Sequence, residues 1–143
     1  MAPPSKRFEP IQRIAKDQER KAAGSLGESL KAKQAAEQRL AELRAYHAEY
    51  LERFRATTGA GANAAQIRGY QSFLDQLETA IREQQRIANM AQQQCDRSKD
   101  QWRDRYSRSK AMDGVVERLR ESERKAVDKQ EQSEQDERNQ RRR

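Results

Sequence analysis

The chain has one cysteine, Cys95, and one histidine, His47, in 143 residues. A lone cysteine cannot close an intrachain disulfide. Neither residue has ligands or catalytic partners at local spacing, so no zinc site, no Cys–His nucleophilic pair and no cofactor is expected. Proline occurs only at Pro3, Pro4 and Pro10, which leaves the rest of the chain without the residue that most strongly breaks helices. Glycine numbers 6 and aromatic residues 6%, too little for the turns and cores of a sheet protein. No stretch approaches the roughly 20 apolar residues that span a bilayer, and no apolar signal segment occurs, so a cytoplasmic location is the default expectation. Gly59 and Gly61 are not followed by the lysine and hydroxyl residue of a phosphate loop.

Hydrophobic residues make up 34% and charged residues 37% of the sequence, against about 45–50% and about 25% in ordinary domains. A compact ball is excluded on that ground. A helix that buries a single stripe needs fewer apolar side chains, so the choice lies between an elongated helical assembly and disorder. Periodicity decides it.

The abundant Ala, Gln, Glu, Arg and Lys are good helix formers. After a loose opening run, Met1 to Ser5, the residues Phe8, Ile11, Ile14 and Ala15 begin an apolar stripe, with Pro10 expected in a first helical turn. A first helix is predicted over about 8–57. One heptad row is Phe8, Ala15, Ala22, Ser29, Ala36, Leu43 and Tyr50, and its companion is Leu26, Lys33, Leu40, His47 and Phe54. Such paired rows are the seam of a coiled coil. Gly24 and Gly27 weaken helix propensity in its first half by about 1 kcal/mol each.

Residues 57–63, Thr-Thr-Gly-Ala-Gly-Ala-Asn, carry two glycines and no charge and form the one credible turn, with Asn63 placed to cap the next helix. The second helix has rows Ile67, Leu74, Ile81, Ala88, Cys95, Trp102, Ser109, Val116 and Tyr70, Leu77, Gln84, Ala91, Ser98, Arg105, Met112, Leu119, Ala126. Reversal near Gly61 brings Phe54 to Ile67 and Tyr70, Tyr50 to Leu74, Leu43 to Leu77 and Ile81, and the small Ala15, Ala22 and Gly24 opposite Trp102 and Tyr106. The expected fold is all-α: two long helices in an antiparallel coiled-coil hairpin over 1–127, followed by a charged, frayed or disordered tail over 128–143 that contains no hydrophobic side chain.

Candidate interaction residues fall into two groups. Arg97, Lys99, Arg103, Arg105, Arg108 and Lys110 form a basic patch around Trp102 and Tyr106, diluted by Asp96, Asp100 and Asp104. It reads as a solvated face, as a docking surface for an acidic protein, or, least favoured, as a phosphate-binding stripe. Tyr46, Tyr50, Phe54, Tyr70 and Phe73 gather near the turn, where they either widen the seam or present a partner surface. Tyr46 and Phe73 stand outside the seam rows. Acid–base pairs such as Asp17 with Lys21, Glu49 with Arg53 and Glu78 with Arg82 have the spacing of a solvated helix face. His47 is a seam residue.

Leu43, Tyr46, Glu49 and Tyr50 before the turn, then Tyr70, Phe73, Leu74, Leu77, Ala80, Ile81 and Gln84, and further on Trp102 and Lys110-Ala111-Met112, together resemble the FliJ family of flagellar export proteins. Phe8 and Ile11 are similar to the start of that family. The resemblance implies a non-enzymatic antiparallel coiled coil akin to the stalk of rotary ATP synthases, serving the bacterial flagellar type III export apparatus. The implied partners are the hexameric export ATPase ring, the cytoplasmic domain of the large export-gate membrane protein, and export chaperones; no small-molecule substrate is implied and nucleic acid is disfavoured. The implied ring-entering end comprises Phe8 to Lys31 and Arg97 to Leu119, with Phe8, Arg13, Lys16, Arg20, Arg103, Arg105, Arg108 and Lys110 as ring-facing candidates. Gate contacts are implied more broadly, towards the first-helix half of the coiled coil. A virulence secretion stalk, a basic nucleic-acid-binding helical protein and a self-associating scaffold are the rival expectations.

Overall fold

The computed structural model describes residues 2–142. Two helices account for nearly all of them, α1 over Pro4–Gly59 and α2 over Ala64–Arg141, packed together as an antiparallel coiled-coil-like hairpin. Packing divides the chain into two compact units, one of Ser25–Lys99 and one of Met1–Gly24 with Asp100–Arg143.

In the Ser25–Lys99 unit the turn is built by backbone hydrogen bonds. Ala62 N–H donates to the Thr57 carbonyl at 3.1 Å and Gly61 N–H to that of Thr58 at 3.2 Å. This pair is a Schellman motif, which requires a left-handed residue after the helix; Gly61 has φ of 88°. Asn63 caps α2 as expected: its Oδ1 accepts from Gln66 N–H at 2.9 Å, and Gln66 Oε1 accepts from Asn63 N–H at 3.1 Å. Two of the four orphan donors at a helix start are thereby satisfied reciprocally.

The rows read from the sequence are the buried ones. Leu74 and Leu77 are buried on α2, and Ala36 and Leu40 of α1 pack with Ala88, flanked by Ile81 and Ala91. Leu43 is half-buried beside them. Small residues face small ones here, so the helices approach closely enough for polar seam positions to bond across. Gln84 Nε2 donates to the Ala36 carbonyl at 3.1 Å, and the Ser29 and Ser98 hydroxyls share a 2.8 Å hydrogen bond. Cys95 is fully buried and serves as a small apolar filler. His47 Nε2 lies 3.4 Å from Glu78 Oε1, so Glu78 faces across the helices instead of pairing with Arg82.

In the other unit α1 begins earlier than predicted. Pro4, not Pro10, takes the first helical position, and the Pro3 carbonyl accepts from Lys6 N–H at 3.0 Å and Arg7 N–H at 3.3 Å. Of the run expected to be a loose tail, Met1 lies outside the described residues, while Ser5 is helical and buried. Pro10 sits inside the helix, where it deprives the Lys6 carbonyl of its usual donor. It is exposed, so water can serve that carbonyl.

No acidic side chain occupies the first turn of α1. Glu123 of α2 supplies one: its Oε1 accepts from Ser5 N–H at 2.9 Å and its Oε2 from Ser5 Oγ at 2.7 Å. These bonds, the hydroxyl's first and the backbone N–H's second, hold the Glu123 carboxyl below its usual range, with Arg120 and Lys6 assisting against partial desolvation. A carboxylate at a helix N-terminus is also favoured by the helix dipole. Further cross-helix bonds join Gln12 Nε2 to Asp113 Oδ1 at 2.8 Å, Arg105 to Gln18 at 3.1 Å and Arg120 to Glu9 at 3.1 Å. Gln18 meets Arg105 as a reversal near Gly61 requires, whereas Ser5 and Glu9 meet Glu123 and Arg120, positions further along α2 than that reversal gives; Ala15 lines a groove with Met112 and Val115. Ser109 and Val116 are buried, but Ala126 is exposed and the seam ends at half-buried Glu123. Beyond it α2 continues through the segment expected to be disordered, as far as Arg141, every side chain from Arg124 to Arg142 being exposed. Its Glu, Gln, Lys and Arg content favours helix, while nothing in α1 packs on it.

Candidate functional site

The aromatic group of the Ser25–Lys99 unit is centred on Tyr50, a seam residue. One turn earlier on α1, Tyr46 stacks on it with ring centres 6.0 Å apart and planes at 16°. Phe73 of α2 meets Tyr50 at 4.4 Å, and the Arg53 guanidinium lies 5.1 Å from the Tyr50 ring centre. Phe54 and Tyr70 form a separate tilted pair at 6.0 Å. Phe73, although outside the rows, is drawn half-inward by Tyr50. Tyr46 remains 54% exposed, the one member of the five that offers most of its ring to solvent. The seam-widening and surface readings thus divide by residue: four rings are at least half packed and Tyr46 is free.

The basic group lies in the other unit. Arg13, Lys16 and Arg20 are exposed on one face of α1, at the three-and-four spacing of helix neighbours. On α2, Arg103, Arg108 and Lys110 are exposed, whereas Arg105 is half-buried in the seam and committed to Gln18. Arg108 is 3.4 Å from Asp104, and Lys110 lies over the Tyr106 ring at 5.4 Å. Trp102 is half-buried and stacks on Tyr106 at 5.2 Å. Exposed ion pairs of this kind contribute about 0–1 kcal/mol, so the cations remain available to a partner. Phe8 is half-buried in the seam and is therefore more a packing residue than a contact.

Two residues assigned to the stripe are not in it. Ile11 and Ile14 are 47% and 56% exposed, outside the rows through Ser5, Phe8, Gln12 and Ala15. Counting back by sevens from Ala22 and Leu26 gives 15, 8, 19, 12 and 5, which already leaves both isoleucines outside.

Among the described residues no helix is long and apolar enough to cross a membrane, and no group of three His, Cys, Asp or Glu residues is placed to hold a metal. A family model described as flagellar FliJ protein matches residues 5–143, both helices and the turn included. The chain belongs to the FliJ family. Membership gives it a general role in the flagellar export apparatus. No curated protein and no solved structure matches the chain.

Proposed function

We propose that this FliJ-family chain is a non-enzymatic stalk and escort component of flagellar type III export, acting in the cytoplasm at the inner face of the cell membrane. The family match over residues 5–143 is the observation that carries this reading. Exposed Arg13, Lys16, Arg20, Arg103, Arg108 and Lys110 would meet the hexameric export ATPase ring through many shallow electrostatic contacts, each weak in water and collectively able to hold a helical pair in an acidic pore. Phe8 and Arg105 would support that end by packing. The exposed Tyr46, backed by Tyr50 and Phe73, would be a contact for a protein partner such as the export gate's cytoplasmic domain or an export chaperone.

The test is a pull-down of the purified, folded chain against the export ATPase and, separately, the gate's cytoplasmic domain. Capture of at least one at micromolar concentration is expected. Failure to capture either overturns the export reading, and tight binding to duplex DNA with a steep salt dependence would replace it with a nucleic-acid function.

A further inference from the structure

The unit formed by Met1–Gly24 and Asp100–Arg143 carries an open groove of about 380 Å³ between α1 and α2. Ile11, Ile14 and Ala15 line one wall, and Ala111, Met112 and Val115 the other. Other apolar side chains of the chain are exposed too, Met90 and Val127 among them, but Ile11 and Ile14, 47% and 56% exposed, stand together at the mouth of a groove. An apolar residue held in water forgoes about 1.5–3 kcal/mol of burial relative to a packed one, so a surface that keeps two of them together at a groove is suited to being covered.

The charges around the groove say what covers it. Arg7, Ile11, Ile14, Gln18 and Lys21 follow one another at spacings of three and four and share a face of α1. Arg108, Ala111, Val115 and Arg118 do the same on α2. Arg108 lines the groove with Asp104 at 3.4 Å, and Arg7, Lys21 and Arg118 continue the two faces beyond its lining, Asp17 standing one turn before Lys21. Arg13, Lys16 and Arg20 lie on the other flank of α1, so this border shares only Arg108 with the cations assigned to the ring.

We propose that the groove receives an amphipathic helix of another protein, whose apolar stripe covers Ile11 and Ile14 and whose flanking side chains are acidic, completing a three-helix bundle. A second copy of this groove is disfavoured, because its four cations would face these four. The chain's own exposed end is also unsuited, since from Arg124 onward its only apolar side chains are Ala126 and Val127. A flat lipid surface would reach the isoleucines but not the groove floor at Ala15 and Met112, both half-buried. An inserted helix reaches all of them through ridges that fit the space between α1 and α2.

The proposal rests on the groove and not on the export reading; an acidic helix from any protein satisfies it. The test places a photo-crosslinking phenylalanine analogue at position 14 of the full chain in cells, with the same analogue at position 13 as the control on the other flank, and identifies the joined peptide by mass spectrometry. The expected product, at position 14 and not at position 13, is an acidic segment with apolar residues at three-and-four spacing. A synthetic peptide of that segment is then titrated onto the purified chain. Ile14→Ser and Arg108→Glu should each weaken binding at least tenfold while circular dichroism shows unchanged helicity. Joining to a second copy, to lipid or to a basic or non-amphipathic segment, the absence of any product, or retained affinity in both variants overturns the proposal.

Discussion

Replacing glycine by alanine should have opposite signs at two positions eight residues apart in sequence within the Ser25–Lys99 unit. Gly61 ends α1 with φ of 88°, and Gly69 lies inside α2. At neither would an added Cβ meet another atom within 4 Å, so sterics do not distinguish them. What differs is the backbone. Holding an L-residue in the left-handed region costs about 1–2 kcal/mol. In a helix interior alanine is favoured over glycine by about 1 kcal/mol. Gly61→Ala should therefore destabilise and Gly69→Ala stabilise, a separation of about 2–3 kcal/mol. For a chain of this size that corresponds to roughly 6–9 °C in melting temperature. Urea and thermal unfolding followed by far-ultraviolet circular dichroism measure both. Asparagine, which tolerates left-handed φ, should recover part of the loss at position 61. Shifts of the same sign in the two alanine variants, or a neutral Gly61→Ala, would refute the Schellman turn and the chain reversal that depends on it.

Leu74→Ala should lower stability by about 2 kcal/mol, the lower end of the range for buried leucines because this seam is open at its sides, and Tyr50→Ala should also lower the melting temperature; Arg103→Glu should alter partner binding while helicity stays intact. Equal loss of helicity in all three would mean the seam is misplaced. Asn63→Ala, which removes the Oδ1 acceptor of Gln66 N–H but keeps the backbone N–H that Gln66 Oε1 accepts, should cost about 1 kcal/mol, read from the urea midpoint; no change would deny the cap. The two bonds from Ser5 hold the folded Glu123 carboxyl below its unfolded pKa, so its contribution is present above the unfolded value and is lost as pH falls through the lower folded one. Glu123→Gln should accordingly flatten the acid limb of the stability profile and leave its slope near neutrality unchanged; an unaltered acid limb would show that the Ser5 contact is not made in solution.

Both helices, the turn, the cap at Asn63 and the seam rows from Ala22 onward are legible because apolar or small residues recur at heptad spacing and because the two glycines of the turn stand in an uncharged stretch. The first turns of α1 were hidden by chemistry. Ser5, Gln12 and Glu19 occupy seam positions but are polar, so a search for apolar side chains passed over them and took Ile11 and Ile14 instead. A symmetrical fold about the turn gives the pairing of Gln18 with Arg105 but stops short of Glu123 for Ser5, a bond made by polar side chains that apolar periodicity does not register. Pro10 was assigned the right kind of site for proline, but Pro4 occupies it. At the candidate surfaces, spacing indicated the aromatic cluster, but only contact distances separated the packed Phe73 from the free Tyr46.

The carboxylate that closes the first turn of α1 belongs to a residue 118 positions further along the chain. On a ribosome, Ser5 emerges long before Glu123 has been added, so the first turn of α1 must wait for nearly all of the seam of α2 to be translated before it gains its fixing contact. A nascent product released just short of codon 123 would keep its turn and central seam but leave the first turn of α1 unfastened.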